Sequence, residues 1–90
     1  MRKLNKEEIE VFKEVIQALD EQDLELVEAF ALDKETTDRL DCINLLVFRS
    51  FNTIITKRDV LDIVSKFNDS EFASFSVHQV EDVYTIYGVI

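Results

Sequence analysis

The chain is 90 residues long and 47% apolar, with seven Phe, two Tyr and a formal charge of −9 from 19 acidic and 10 basic side chains. Folding a chain of this size removes only about 60–65% of its unfolded surface from water, which allows one hydrophobic core and excludes a second, so residues 1–90 are read as a single domain. The apolar share excludes the disordered regime, and the charge disfavours nucleic acid and anionic membrane surfaces as direct partners while favouring basic ones.

There is no Pro and Gly88 is the single Gly, so turns fall to Asn, Asp, Ser and Thr. No run approaches the roughly 18 apolar residues that cross a bilayer, and Met1, Arg2 and Lys3 lead into charged residues instead of an apolar signal core. The expectation is a cytoplasmic protein, in the host cytoplasm if a phage encodes it. Cys42 is the only cysteine, which excludes an internal disulfide and a multi-cysteine zinc site. It reads as a small core or boundary residue, not a nucleophile.

In chain order, the first start signal is Leu4, Asn5 and Glu8: Asn5 caps, Glu8 returns the bond three residues on, and Leu4 can staple onto Ile9. Ile9, Phe12, Ile16 and Leu19 keep helical spacing and predict a helix over 6–19. The signal recurs at Leu19, Asp20, Asp23 and Leu24 and predicts a second helix over 21–31, with Leu24, Val27, Phe30 and Ala31 inward. Whether Asp20 ends or bends the first helix stays open. Residues 32–37 read as a connector. Over 38–51, Leu40, Ile43, Val47 and Phe51 keep helical period while Leu45, Leu46 and Phe48 widen the apolar face, predicting a central, mostly buried helix. A strand over 43–48 is the competing reading, because a short apolar run fits either.

Ile55, Thr56, Asp59 and Val60 give a third start signal and predict a helix over 57–67 with Val60, Ile63, Val64 and Phe67 inward, closed by Asn68, Asp69 and Ser70. The β-branched and aromatic residues beyond predict strands over 73–80 and 83–89 around a turn near 80–82. The expected fold class is α+β, three to four short helices followed by a C-terminal β-hairpin, an order shared by winged-helix domains.

No catalytic device is legible. Acid–base chemistry needs carboxylates whose surroundings separate their pKa values, and a nucleophilic triad needs His, of which His78 is the only one; it reads as a surface or strand-edge imidazole. Metal ligands at zinc or calcium spacing are missing, since Asp33, Lys34 and Glu35 lack both the alternation and the Gly of a calcium loop. No glycine-rich cradle precedes a helix. No enzyme activity, cofactor or metal is expected.

The acidity is concentrated. Residues 7–41 hold 13 acids against Lys13, Lys34 and Arg39, a local charge of −10. In the predicted helices Glu7, Glu10 and Glu14 fall at i, i+3, i+7 and Glu21, Glu25 and Glu28 at i, i+4, i+7, with Asp20 and Asp23 at the same end. Like charges at such spacings destabilise an isolated helix by about 0.2–0.5 kcal/mol each, so a compensating cationic partner is expected. Carboxylates recurring roughly every 5 Å along a helix approach the ~3.4 Å spacing of phosphates on one DNA strand. Taken singly, Glu7 and Glu8 are explained by the helix dipole and by solvation. The collective charge is not, because ordinary surfaces intersperse both signs. Glu7, Glu10, Glu14, Asp20, Glu21, Asp23, Glu25 and Glu28 are therefore the candidate partner-binding residues.

The function expected from this pattern is that of a non-enzymatic inhibitor or adaptor that covers a basic surface of another protein, such as a nuclease or other nucleic-acid-binding protein. As a functional class, without a shared motif, the chain resembles DNA-mimicking phage inhibitors of restriction and CRISPR nucleases, and acidic immunity proteins that neutralise basic toxins. Two alternatives stand beside it. A winged-helix regulator would turn Lys57, Arg58 and Lys66 toward DNA, and an oligomerisation module would pair two copies as a homodimer through the apolar C-terminal strand.

Overall fold

The computed structural model describes residues 1–33, 35, 44–68 and 74–89. Among them the chain runs β1 (Arg2–Lys3), α1 (Lys6–Glu10), α2 (Lys13–Asp20), β2 (Leu24–Ala31), β3 (Asn44–Ser50), α3 (Lys57–Ser65), β4 (Ser74–Val80) and β5 (Val83–Val89). The class is α+β, with three helices and one five-stranded sheet among the described residues. The strand order is β1-β2-β3-β5-β4, every neighbouring pair antiparallel.

Side chains alternate across a strand, and the register places one core row after another on a single face. Leu46 lies between Ala29 and Ile86, and Phe48 between Leu26 and Tyr84. Val77 pairs with Ile86, and Phe75 with Gly88. Phe12, Val15 and Leu19 from the first two helices and Val60 and Val64 from α3 complete this core. On the opposite face Phe30, Leu45, Val47, Thr85 and Tyr87 are half-buried.

Two of the three start signals form as expected. Asn5 and Glu8 make a reciprocal capping box at α1, and Thr56 and Asp59 make another at α3. Each satisfies N-terminal amide donors that the helix itself leaves unpaired. Leu4 is buried and Ile9 packs against the core; at α3 Val60 is buried and Ile55 packs against the core. The hairpin of β4 and β5, turning at Glu81 and Asp82, also forms as expected.

The helix expected over 6–19 is two helices. At Val11 and Phe12 the ladder tightens, Phe12 N–H reaching Ile9 O at 2.9 Å, which drops the Phe12 ring into the core, edge-on to Phe75 at 6.3 Å between centroids. The inward residues of α2 are therefore Val15 and Leu19, with Ile16 at the margin.

The helix expected over 21–31 is the strand β2, and the described part of the helix expected over 38–51 is β3. In β2 a bulge between Leu26 and Glu28 inserts Val27 as an extra residue. A bulge breaks the two-residue period, so Glu25 and Glu28, three apart, share a face and counterfeit helical spacing. For 44–50 the strand alternative is the one that forms, and β3 is central, as the buried helix was expected to be. The winged-helix order fails here, since it requires a helix where β3 runs. The C-terminal strand is no edge either: β5 is paired on both sides, with β3 and β4. Cys42, residues 34 and 36–43, and the closing Asp69 and Ser70 lie outside the described residues.

Among the described residues the sheet edge on that side is β4, and it is partly closed. The Asn68 carboxamide accepts from Phe75 N–H through Oδ1 and donates to Phe75 O through Nδ2 at 3.2 Å. It imitates one residue of a neighbouring strand, which blunts an edge open to aggregation.

Gly88 gives Phe75 its place. A Cβ at residue 88 would lie 3.0 Å from Phe75 Cε1 and 3.1 Å from Cδ1, and the ring cannot retreat freely because Phe12 backs it. Gly88→Ala is expected to lower stability by about 1–3 kcal/mol, the usual cost of overpacking, measured by urea unfolding. An unchanged midpoint would contradict this packing.

Candidate functional site

All eight nominated carboxylates are exposed, but not as two helical stripes. Glu7 and Glu10 lie on α1 and Glu14 on α2, separated by the turn at Val11 and Phe12. Asp20 ends α2. Glu21 and Asp23 occupy the turn into β2, where Asp23 takes φ 62, a left-handed conformation that Asp tolerates better than most residues. Glu25 and Glu28 stand on β2, opposite Arg49 and Val47 of β3.

The structure does bring three of them together. Glu10, Asp20 and Glu25 line one open groove of about 450 Å³ beside β2, over an apolar floor of Ile9, Ile16 and Leu26. Lys13 is at its rim and pairs with Glu10 at 3.3 Å. Among the described residues this is the one ion pair formed by any of the eight. Glu8, outside the set, is bound twice by the Arg2 guanidinium, at 2.7 Å on each oxygen. The Arg2 hydrogen bonds, then the Asn5 amide, hold its carboxyl down to about 2.

A second feature was not legible in the sequence. Residues 51–56 connect β3 to α3 at the end of the sheet where the turns before β2 and between β4 and β5 also lie. Hydrogen bonds tie these together: Ser50 N–H to Asp82 O at 2.8 Å, Phe51 N–H to Asp23 O at 2.9 Å, and Asn52 Nδ2–H to Gln22 O at 3.3 Å. Inside the loop Asn52 N–H donates to Ser50 Oγ, and Ile54 N–H donates to Asn52 Oδ1 at 3.1 Å, an Asx turn. The loop nevertheless leaves Phe51 62% and Ile54 85% exposed. The Arg49 guanidinium sits 5.6 Å from the Phe51 ring centroid and is itself held by Asp82 at 3.2 Å.

Phe51, expected in helical period with Leu40, Ile43 and Val47, is exposed on this loop. The signal against that period was local: Ser50, Asn52 and Thr53 are turn formers, and they directly precede a capping box.

Two grooves flank Asn52. One, of about 410 Å³, has Ile54, Ile55 and Ile63 with Asp59 and Asp62; the other, of about 460 Å³, has Phe51, Ile55 and Tyr84 with Glu81 and Asp82. Burial, and then the Asp59 carboxylate, push the Tyr84 phenol above its ordinary value. His78 stands exposed on β4, across from Thr85. Among the described residues no cluster of three or more His, Cys, Asp or Glu could hold a metal ion, and no helix is long and apolar enough to cross a membrane.

Neither the protein-family models, nor the curated proteins, nor the solved structures gave a match to this chain.

The Arg2–Glu8 pair has a pH signature. A carboxyl lowered in the folded state stabilises it above the ordinary carboxylate range, and that contribution disappears as pH falls through the folded value. Glu8→Gln is expected to flatten the loss of stability between about pH 4.5 and about pH 2, followed by urea midpoints down the acid range. Parallel curves for the two proteins would show that the pair contributes nothing.

Proposed function

We propose that the chain is a non-enzymatic acidic binding protein, an inhibitor or adaptor that covers a basic, nucleic-acid-binding surface of a partner protein. The observation that carries this reading is the set of exposed carboxylates on α1, α2, the following turn and β2, of which Glu10 alone forms an ion pair among the described residues, Glu25 standing across from Arg49 without one. Exposed like charges raise the free energy of the compact state. A cationic partner lowers it again, and long-range attraction speeds the encounter.

The reading keeps the partner and drops the imitation of DNA by two helical rows, because 24–31 is a strand. What remains is a patch centred on the groove with Glu10, Asp20 and Glu25, with Glu21 and Asp23 continuing it around the end of α2. Charge sign, more than spacing, then selects the partner.

The test uses two baits in extract of the cell of origin, the natural chain and a Glu10→Gln, Asp20→Asn, Glu25→Gln variant, with circular dichroism to check that both fold. The natural chain is expected to retain one or a few basic nucleic-acid-binding proteins, released as salt rises through about 0.15–0.5 M. The variant should lose them at the lowest salt. Identical retention on both baits would remove the reading.

A further inference from the structure

Residues 51–56 present large apolar side chains to water in a way that ordinary surface exposure does not explain. Scattered exposed apolar residues are normal, but Phe51 and Ile54 lie three apart on a loop bonded through its backbone to Asp23 and, at Ser50, to Asp82, and through the Asn52 side chain to Gln22. Ile55 beside them packs against the core, so the segment is anchored and Ile54 is held outward. Phe51 is propped from behind by Arg49, which Asp82 fixes. Side chains held in place before binding lose little freedom when a partner arrives, and buried aromatic and aliphatic anchors within a polar rim carry most interface energy.

We propose that this loop anchors a protein–protein interface and that its partner is a polypeptide segment bearing apolar side chains flanked by Lys and Arg. The inference rests on the reading above and deepens it by naming a second, apolar contact surface. Charge complementarity selects the occupant. Asp59 and Asp62 border the groove on the Ile54 side, and Glu81 and Asp82 border the one on the Phe51 side. Of these, Asp82 is paired with Arg49, and Asp59 accepts from Thr56 in the capping box. Asp62 and Glu81 are exposed and in no ion pair among the described residues, one on each side of the apolar pair. Lys57 and Arg58 open α3 at the same end, so the rim is mixed in sign, with carboxylates prevailing. A second copy, itself at −9, is repelled by that rim.

The probes are a synthetic peptide of alternating Leu and Lys and an all-Lys peptide of equal length, each titrated into the isotope-labelled full chain and read by amide chemical shifts. The Leu/Lys peptide is expected to move the amides of 51–55 and of Glu81 and Asp82. Ile54→Ser is expected to weaken that peptide about tenfold or more while leaving its own unfolding midpoint near that of the natural chain. The all-Lys peptide should bind both proteins alike through the α1, α2 and β2 carboxylates.

Undiminished Leu/Lys binding to Ile54→Ser, or shifts confined to α1, α2 and β2, would overturn the inference and leave the broader reading standing. Failure of both peptides to bind would remove both. Concentration-dependent shifts at 51–55 without any peptide would point to a second copy and equally overturn it.

Discussion

Phe48 is the contact on which the rest of the molecule depends. It is fully buried at the centre of the sheet, between Leu26 on β2 and Tyr84 on β5, so β3 joins the N-terminal and C-terminal strands into one sheet. The helices that have contacts to the sheet pack on the face that Phe48 occupies, and a one-residue slip of β3 would turn Phe48 and Leu46 out of that core. The register is fixed for that reason. Because it is fixed, β3 always ends at Ser50, beside Asp82 and Asp23, and the loop that follows is bonded to both turns.

Local chemistry was legible in the sequence wherever the structure obeys local rules. The capping boxes at Asn5 and Thr56 use residues three apart and need no distant partner, and the β4–β5 hairpin joins strands that are neighbours in sequence. The two helices expected where β2 and β3 run fail because distant contacts decide there. Leu24, Leu26, Ala29 and Ala31 face the core side of β2 only because Val27 bulges, and a bulge leaves no mark of its own in the sequence. The run from Leu45 to Phe48 has too little polar interruption to declare a period, and its strand character comes from having β2 and β5 on either side. Asp20 and Asp23 carry the letters of a helix start, yet Asp23 adopts a left-handed turn that ends one element and sends the chain into the sheet.

The candidate site was half legible for the same reason. Composition identified the acidic segment, and every nominated carboxylate is exposed. Their grouping required the fold: Glu10, Asp20 and Glu25 line one groove although they come from three elements, while Glu21, Glu25 and Glu28 are not a row. The loop of Phe51 and Ile54 was invisible because an apolar side chain in a sequence is read as core by default. The two features are complementary, since carboxylates steer a cationic partner from a distance and fixed apolar side chains retain it at contact.

The account turns on residues 51–56 being a fixed part of the sheet's end and not a slack connector. Amide hydrogen exchange of the isolated chain tests this most directly. The amides of Ser50 and Phe51, bonded to Asp82 and Asp23, should exchange as slowly as those at the centre of β3, with Ile54, bonded to Asn52, slower than unstructured backbone. Exchange of all three at the rate of an open coil would contradict the account, because apolar side chains on a loop without fixed form would give a partner no prepared surface to meet.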